Sequence, residues 1–244
     1  MPKTEIYQIP GNFNTPPQGW PRLEPSDLSR GLIEDWVADD LIDTFPVTGW
    51  ASRVSSLPLV VGATEAPPIV ADDRGHKAVR FTSNSLRNNS LSKDWQGEIT
   101  IEVVMNPTEG QSAGGRVISG PSGGFRGIYM YTNSFSLTSS QATGGASTVS
   151  LGNYVPGQKT TLIGRWGNTQ ADGKVYGKAG FSSPLLLSEP TPQAQLFIGA
   201  NSANPPAANT FLKADIYRIR VWNRVLSNGE ADAAMAESAE TYGF

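Results

Sequence analysis

The sequence predicts an all-β fold, either a sandwich or a barrel, preceded by an extended arm and followed by a short helix. Three observations support this prediction. The 244 residues include 26 glycines and 18 prolines, and only 17% of the residues are charged. Helical bundles use more Glu, Lys and Ala, whereas turn-rich β folds use Gly and Pro. Short apolar or alternating segments also recur between clusters of Gly, Pro, Asn and Ser, as strands joined by turns do.

The composition excludes several classes of site. The chain has no cysteine and a single histidine, which removes disulfides, thiolate zinc sites and cysteine catalysis. The net charge of −3 gives no broad basic footprint for nucleic acid. No apolar segment approaches the roughly 20 residues of a membrane helix, and residues 1–13 lack the features of a secretory signal. We therefore expect neither a nucleic acid nor a membrane as partner.

Residues 1–28 are predicted to form an extended arm, and residues 29–244 the folded domain. Proline fixes φ, removes a backbone donor and favours an extended residue before it. Prolines punctuate the arm at Pro2, Pro10, Pro16, Pro17, Pro21 and Pro25. Tyr7, Phe13 and Trp20 are suited to docking the arm on the domain or on a neighbouring subunit. A free terminus is the alternative.

The domain contains eight clear strand candidates. They are Lys77–Phe81, Ile99–Met105, Arg116–Ser119, Gly127–Tyr131, Phe135–Thr138, Thr161–Trp166, Gln195–Ile198 and Ile216–Trp222. Asp172-Gly173 is a dipeptide typical of tight hairpins, so a turn is predicted there. In the last strand, alternation places Ile216 beside Arg218 on an outward face and Ile219 in the core.

A helix is predicted over residues 228–240. Ser227 and Glu230 have the spacing of a capping box, in which each side chain bonds the backbone N–H of the other. Small and apolar residues then recur at helical spacing, at Ala231, Ala234, Met235 and Ala239. We expect this helix to lie on the β domain.

The segment Phe211–Glu230 resembles the closing motif of laminin-G-like jelly rolls in the concanavalin A-like lectin/glucanase superfamily. Its core is Trp222-Asn-Arg-Val-Leu-Ser-Asn-Gly-Glu230. Earlier segments resemble other strands of that family in the same order. They are Leu32–Asp40, Val47–Arg53, Gly75–Phe81 and Ile99–Pro107. Ala214 and Arg218 depart from the motif, which often has Gly and Glu there. The resemblance implies a two-sheet antiparallel β-sandwich, a jelly roll, with Trp36, Trp50 and Trp222 in or near the core.

Glycosidases of this superfamily carry two glutamates on one strand with an aspartate between them, and Glu98-Ile-Thr-Ile-Glu102 resembles that pattern. The middle residue is Thr100, however, so the central charge is missing. A retaining hydrolase needs carboxyl groups about 5–5.5 Å apart, whereas positions i and i+4 of a strand are about 13 Å apart. His76 is the single candidate imidazole base, and it lies in a predicted turn. We therefore expect an ordinary strand here and no enzymatic activity.

Calcium binding and turn capping are both open for the acidic loops. Asp39, Asp40 and Asp43 follow the first strand, and calcium takes six to eight oxygen ligands. Aspartates also cap turns without any metal. A glycan site would need exposed aromatic rings, and Trp95, in a polar segment, is the candidate, with Trp50 and Trp166 as further possibilities. A tryptophan at the edge of the core is the alternative for Trp95.

Three functions follow from the fold that the resemblance implies. Stand-alone modules of this kind are similar to those in minor tail or other structural proteins of bacteriophages. We therefore expect a non-catalytic virion subunit, assembled in the host cytoplasm and oligomeric. Its arm would anchor it to other virion subunits, and its sandwich would contact neighbouring subunits or glycans of the host surface. A free, calcium-dependent carbohydrate-binding module is the main alternative, and a glycoside hydrolase using Glu98 and Glu102 is the third.

Overall fold

The computed structural model of the protein describes residues 27–42, 46–55, 58–62, 64–91, 95, 97–111, 114–120, 126–140, 146–187, 195–200 and 210–244. The predicted arm, residues 1–28, therefore lies outside the described residues except for its last two positions. Asp43 and residues 201–209 also lie outside them.

The described residues form strands, a short 3₁₀ turn at Ala38–Asp40 and one helix. The first eight strands are β1 (Leu32–Val37), β2 (Gly49–Trp50), β3 (Leu59–Val61), β4 (Ile69–Ala71), β5 (Lys77–Phe81), β6 (Leu86–Asn88), β7 (Ile99–Pro107) and β8 (Gly115–Ser119). They are followed by β9 (Arg126–Tyr131), β10 (Ser134–Ser140), β11 (Ala146–Asn153), β12 (Thr160–Trp166), β13 (Gln170–Val175), β14 (Leu185–Leu186), β15 (Leu196–Ile198), β16 (Ala214–Trp222) and α1 (Asn228–Tyr242).

The strands make two antiparallel sheets of eight strands each, stacked as a sandwich. Sheet 1 has the order β14-β13-β12-β7-β16-β5-β4, with β1 also paired to β16. Sheet 2 has the order β11-β10-β9-β8-β15-β6-β3-β2. The predicted two-sheet sandwich is confirmed, and each of the eight strand candidates falls on a strand. Alternation along each strand sends one set of side chains inward, where the two sheets share one core.

Helix α1 covers part of the outer face of sheet 1. The capping box is confirmed: Ser227 Oγ accepts from the Glu230 N–H, and Glu230 Oε2 accepts from the Ser227 N–H. The helix ends at Gly243, whose φ of 73° is the left-handed conformation that glycine adopts freely. Its buried face packs Ala234 and Met235 against the apolar patch of Ile163 and Trp222. Among the described residues, no helix is long and apolar enough to cross a membrane.

A polar cluster lies buried between sheet 1 and α1. Its centre is Glu102, which is 1% exposed and accepts from Arg220 Nε at 2.5 Å. Thr161 and Ser238 donate to the other oxygen of Glu102 at 3.1 and 2.8 Å. Burial opposes the charge of Arg220, but the nearby Glu102 carboxylate keeps the pKa of Arg220 above its ordinary value. The Glu102 carboxylate therefore holds helix α1 against sheet 1 through these contacts.

Two local predictions are wrong because strand pairing decides them. Asp172 and Gly173 lie inside β13, where Asp172 pairs with Arg165, and the turn closes instead from Gly167 N–H to the Gln170 carbonyl. A β-bulge in β16 follows Ile216 and turns that side chain into the core beside Ile219. One extra residue in a strand reverses which face each later residue occupies.

Candidate functional site

Loops at one end of the sandwich surround a pocket of about 590 Å³. Its walls are the β4–β5 turn, the β11–β12 connection, the segment after β13 and the C-terminal residues. The side chains that give the pocket its chemistry are Arg74, Asn153, Gln158, Tyr176, Lys178 and Phe244. Ligand sites commonly have this volume and this position on a rigid scaffold. This cavity is called the end pocket below.

Lys159 joins three walls of the end pocket. Its ammonium donates to Asp72 in the β4–β5 turn at 2.5 Å and to the Tyr242 carbonyl at the end of α1 at 3.1 Å. Asp72 also accepts from the backbone N–H groups of Arg74 and His76. Burial opposes the charged carboxylate, but Lys159 and these N–H groups still hold the pKa of Asp72 below its usual value. The charged pair therefore fixes the relative positions of turn, strand and helix end.

The aromatic wall is formed by Tyr176 and Phe244. Their rings meet nearly at right angles, with centroids 5.7 Å apart. Tyr176 is 40% exposed, a large fraction for an aromatic residue. Its backbone N–H donates to the Thr161 carbonyl, and Gly177, with φ of 80°, turns the chain directly afterwards. This turn leaves the Tyr176 side chain at the mouth of the pocket instead of in the core.

The polar wall carries charges that the protein leaves unpaired. Arg74 and Lys178 are exposed, and neither takes part in an ion pair among the described residues. Asn153 and Gln158 are exposed amides that both donate and accept hydrogen bonds. The end pocket thus offers one aromatic platform, two amides and two cations to a polar ligand.

A second pocket, of about 560 Å³, lies beside the N-terminus of α1, but most of its charged side chains are paired with an opposite charge. Arg165 binds Asp172 through two hydrogen bonds of 2.7 Å, and Glu230 binds Arg224 at 2.8 Å. No aromatic residue lines this pocket among the described residues. The end pocket is therefore the stronger candidate.

The structure places the predicted metal-binding aspartates apart from the end pocket. Asp39 lies 3.1 Å from His76 Nδ1, and Asp40 binds Arg53 through two hydrogen bonds of 2.6 and 2.8 Å. Asp43 lies outside the described residues. Within those residues, no three acidic or histidine side chains come together as a metal ion requires. The two described carboxylates are engaged by protein cations or donors, so calcium binding by this group stays a prediction.

The candidate tryptophans are all core residues. Trp95 is 1% exposed, and its ring centroid lies 6.5 Å from that of Trp36. Trp50 and Trp166 are fully buried, as is Trp222. The placement of Trp36, Trp50 and Trp222 in or near the core is confirmed. The ring of Trp95 is therefore not accessible to a sugar in this structure. Trp95 instead packs in the core, in line with the alternative that it is a structural residue.

The two glutamates of the glycosidase-like pattern have different surroundings. Glu98 accepts from Asn168 at 3.2 Å in the second pocket, whereas Glu102 lies under α1 bound to Arg220. Thr100, between them, donates to the Arg224 carbonyl and accepts from the Leu226 N–H. The structure does not bring the two carboxylates into one cavity.

The residues of the end pocket were not singled out from the sequence. Tyr176 follows a strand and precedes a glycine, which is the weak local signal that a turn displays it. Arg74, Asn153 and Lys178 belong to three distant segments, and nothing in their local sequence indicates that they meet.

The family comparison matches most of the sandwich. Residues 73–231 match the laminin G model described as the concanavalin A-like lectin/glucanases superfamily. A search of curated proteins finds no match.

Solved structures show the same fold in proteins of low sequence identity. Trypanosoma rangeli sialidase is 14% identical with a TM-score of 0.61, and the match covers 86% of this chain and 33% of the sialidase chain. The binding domain of Paraclostridial Mosquitocidal Protein 1 is 8% identical with a TM-score of 0.65, covering 87% of this chain and 53% of that one. The binding domain of Botulinum neurotoxin DC, in complex with rat synaptotagmin II, is 8% identical with a TM-score of 0.63, covering 85% and 52%. The chain thus spans about a third of the sialidase chain and about half of the toxin chains.

These neighbours correct one prediction. We expected no enzymatic activity, and this expectation is contradicted because the first structural neighbours are sialidases, which are glycosidases. At 14% identity the likeness shows a shared fold.

Proposed function

The chain belongs to the concanavalin A-like lectin/glucanases superfamily, and we propose that it is a carbohydrate-binding module whose ligand occupies the end pocket. The observation that carries this proposal is the exposed ring of Tyr176 beside unpaired polar groups in a pocket of about 590 Å³. An aromatic side chain offers an apolar face to the C–H groups of a sugar ring. Amides and cations at the rim then fix the hydroxyl groups by hydrogen bonds.

The rim of the end pocket favours a sugar that carries a negative group. Within the part of the chain that the structure describes, Arg74 and Lys178 are exposed cations without carboxylate partners, and Asp73 is the one acidic side chain that lines the pocket. A charge-assisted hydrogen bond from either cation to a carboxylate or phosphate is about twice as strong as a neutral one. We therefore expect acidic sugars to bind more tightly than their neutral counterparts.

A separate and more specific proposal concerns the particle to which the protein belongs. A bacteriophage virion, anchored through residues 1–28, is the setting that the resemblance implies, with host-surface glycans as the ligands. Deleting residues 1–25 tests this prediction. Loss of incorporation into particles with an unchanged far-UV spectrum would support anchoring by the arm, and normal incorporation would contradict it.

A glycan panel tests the carbohydrate-binding proposal. Purified protein is titrated with neutral and acidic oligosaccharides, in calcium and in chelator, and hydrolysis of each is followed in the same mixtures. Tyr176→Ala removes the platform and should weaken binding about 5- to 150-fold, if the ring contributes the roughly 1–3 kcal/mol that aromatic side chains contribute when a nucleic acid base stacks on them. Tyr176→Phe keeps the ring and is the matched control, expected to bind within about threefold of the original protein.

Each outcome of the panel decides a different point. Saturable binding that Tyr176→Ala abolishes and Tyr176→Phe keeps supports the end pocket. If Tyr176→Ala binds the glycan as tightly as the original protein does, the end pocket is not the binding site. If no glycan binds, the protein is not a carbohydrate-binding module. Loss of binding in chelator would support the predicted calcium dependence. Turnover of a bound glycan would show that the protein is a glycosidase.

A further inference from the structure

The sequence contains one Asn-Gly dipeptide, Asn228-Gly229, and it lies at the start of α1. An asparagine loses its side-chain amide most readily when glycine follows, because no β-carbon hinders the next backbone nitrogen and glycine has the widest choice of φ and ψ. Both residues are exposed, and a β-carbon added at Gly229 would meet no atom of another segment within 4 Å. The surroundings of this dipeptide are therefore open to water.

The backbone nitrogen of Gly229 is available as a nucleophile. The first N–H groups of a helix have no carbonyl partner within the helix. In α1, the Ser227 side chain accepts from the Glu230 N–H, and the Ser227 carbonyl accepts from the Ala231 N–H. Nothing in the described part of the chain accepts from the Gly229 N–H. Helical backbone angles keep this nitrogen away from Asn228 Cγ, so a reaction between them needs the first turn to fray, as helix ends do.

Arg165 holds and polarises the side chain of Asn228. Its Nη1 atom donates to Asn228 Oδ1 at 2.8 Å and to the Leu226 carbonyl at 2.9 Å. Two hydrogen bonds to Asp172, both of 2.7 Å, fix the guanidinium in this position. A cation at a carbonyl oxygen stabilises the negative charge that develops there when a nucleophile attacks the carbon. The contact with Arg165 therefore makes Asn228 Cγ a better electrophile.

We propose that Asn228 is a site of spontaneous deamidation. The Gly229 nitrogen attacks Asn228 Cγ and closes a succinimide ring. The bond from Cγ to Nδ2 breaks, the proton of the Gly229 N–H passes through water to the leaving nitrogen, and ammonia departs. Water then opens the ring. Opening at Cγ leaves aspartate at position 228, and opening at the backbone carbonyl leaves isoaspartate.

The two products act differently on α1. Aspartate places a carboxylate beside Arg165 and at the helix N-terminus, where negative charge is favourable. Isoaspartate lengthens the backbone by one atom between Ser227 and Glu230, which alters the three-residue spacing that the capping box requires. The modification does not depend on the end pocket, because neither Asn228 nor Gly229 lines it.

The test is incubation of the full chain at neutral and at mildly alkaline pH, followed by peptide mapping with mass spectrometry. The internal reference is Asn133, an exposed asparagine that precedes Ser134 in the turn between β9 and β10. Asn228 should convert to the acidic products faster than Asn133. Conversion should also accelerate as pH rises, because the attacking amide nitrogen must lose its proton.

Three variants test the mechanism. Gly229→Ala favours the helical backbone at that position and should slow conversion of Asn228 about 2- to 5-fold. The matched control is Gly180→Ala, which changes another exposed glycine with open surroundings and should leave the rate unchanged. Ser227→Ala removes the cap, increases fraying of the first turn and should speed conversion about fivefold.

Each outcome supports or overturns one part of the proposal. Faster conversion at Asn228 than at Asn133, slowed by Gly229→Ala and unaffected by Gly180→Ala, supports it. No acidic product at position 228, or faster conversion at Asn133, overturns the site. Equal rates in Gly229→Ala and the original protein overturn the role of the Gly229 nitrogen. An unchanged rate in Ser227→Ala overturns the frayed first turn as the reactive state.

Discussion

Glu102 should be the carboxylate that matters most for stability. It accepts from Arg220, Thr161 and Ser238 beneath α1, and Arg220 is 2% exposed. Glu102→Gln keeps the shape, removes the charge and leaves the guanidinium buried opposite an amide. Removing one partner of a buried ion pair costs about 3–5 kcal/mol. For a domain of this size, that loss lowers Tm by about 6–20 °C.

The assay is urea and thermal unfolding of the original protein, Glu102→Gln and a control variant. The control is Glu237→Gln, which removes a second carboxylate that contacts Arg220 at 3.0 Å but has a side chain 46% exposed. An exposed partner contributes at most about 1 kcal/mol, so the control should stay close to the original protein. Equal unfolding free energies for Glu102→Gln and the original protein would refute the reasoning that this pair holds the helix on the sheet.

Three further predictions concern single carboxylates and the helix cap. Burial raises the pKa of Glu34 above its usual value, so its charge opposes folding at neutral pH. Glu34→Gln should therefore raise Tm at pH 7, a gain that vanishes as pH falls below about 4.5; an unchanged or lower Tm at pH 7 would contradict this. Ser227→Ala removes the N-cap and should cost about 1 kcal/mol in urea unfolding, whereas an effect within error would mean that the cap is dispensable. Arg224 lowers the pKa of Glu230 to about 2, so Glu230 stabilises the fold above its unfolded pKa and loses this effect as the solution is acidified. The difference in Tm between the original protein and Glu230→Gln should shrink as pH falls from about 4.5 through about 2; a difference at about pH 2 as large as that at pH 7 would contradict the assignment.

The parts of the fold that depend on local pattern could be predicted. The capping box at Ser227 and Glu230 is fixed by residues three positions apart, and it is confirmed. Apolar runs such as Ile99–Met105 occur on strands because they bury both faces, one in the core and one under α1. These signals lie within one element, so the sequence contains all that decides them.

The parts that depend on distant contacts could not be predicted. Asp172-Gly173 has turn-forming chemistry, yet its pairing with Gly164 and Arg165 places it inside a strand. A β-carbon at Gly173 would lie 2.6 Å from the Ile163 carbonyl, so this glycine serves close approach between strands, not a turn. The bulge after Ile216 likewise depends on the register with β7.

The candidate site shows the same limit. The end pocket is assembled from four segments separated by many residues, and the Lys159 contacts that join them span 83 and 87 positions. Tryptophan drew attention in the sequence because it suits sugar stacking, but large aromatic rings gain most from complete burial. The core therefore holds Trp95, and the exposed ring is that of Tyr176.

Amide hydrogen exchange with and without the tightest glycan from the panel tests the central claim most directly. The proposed carbohydrate-binding module predicts slower exchange in residues 153–160 and 175–178, which form walls of the end pocket. Protection confined to other segments, with residues 153–160 and 175–178 unaffected, would contradict the end pocket as the glycan site.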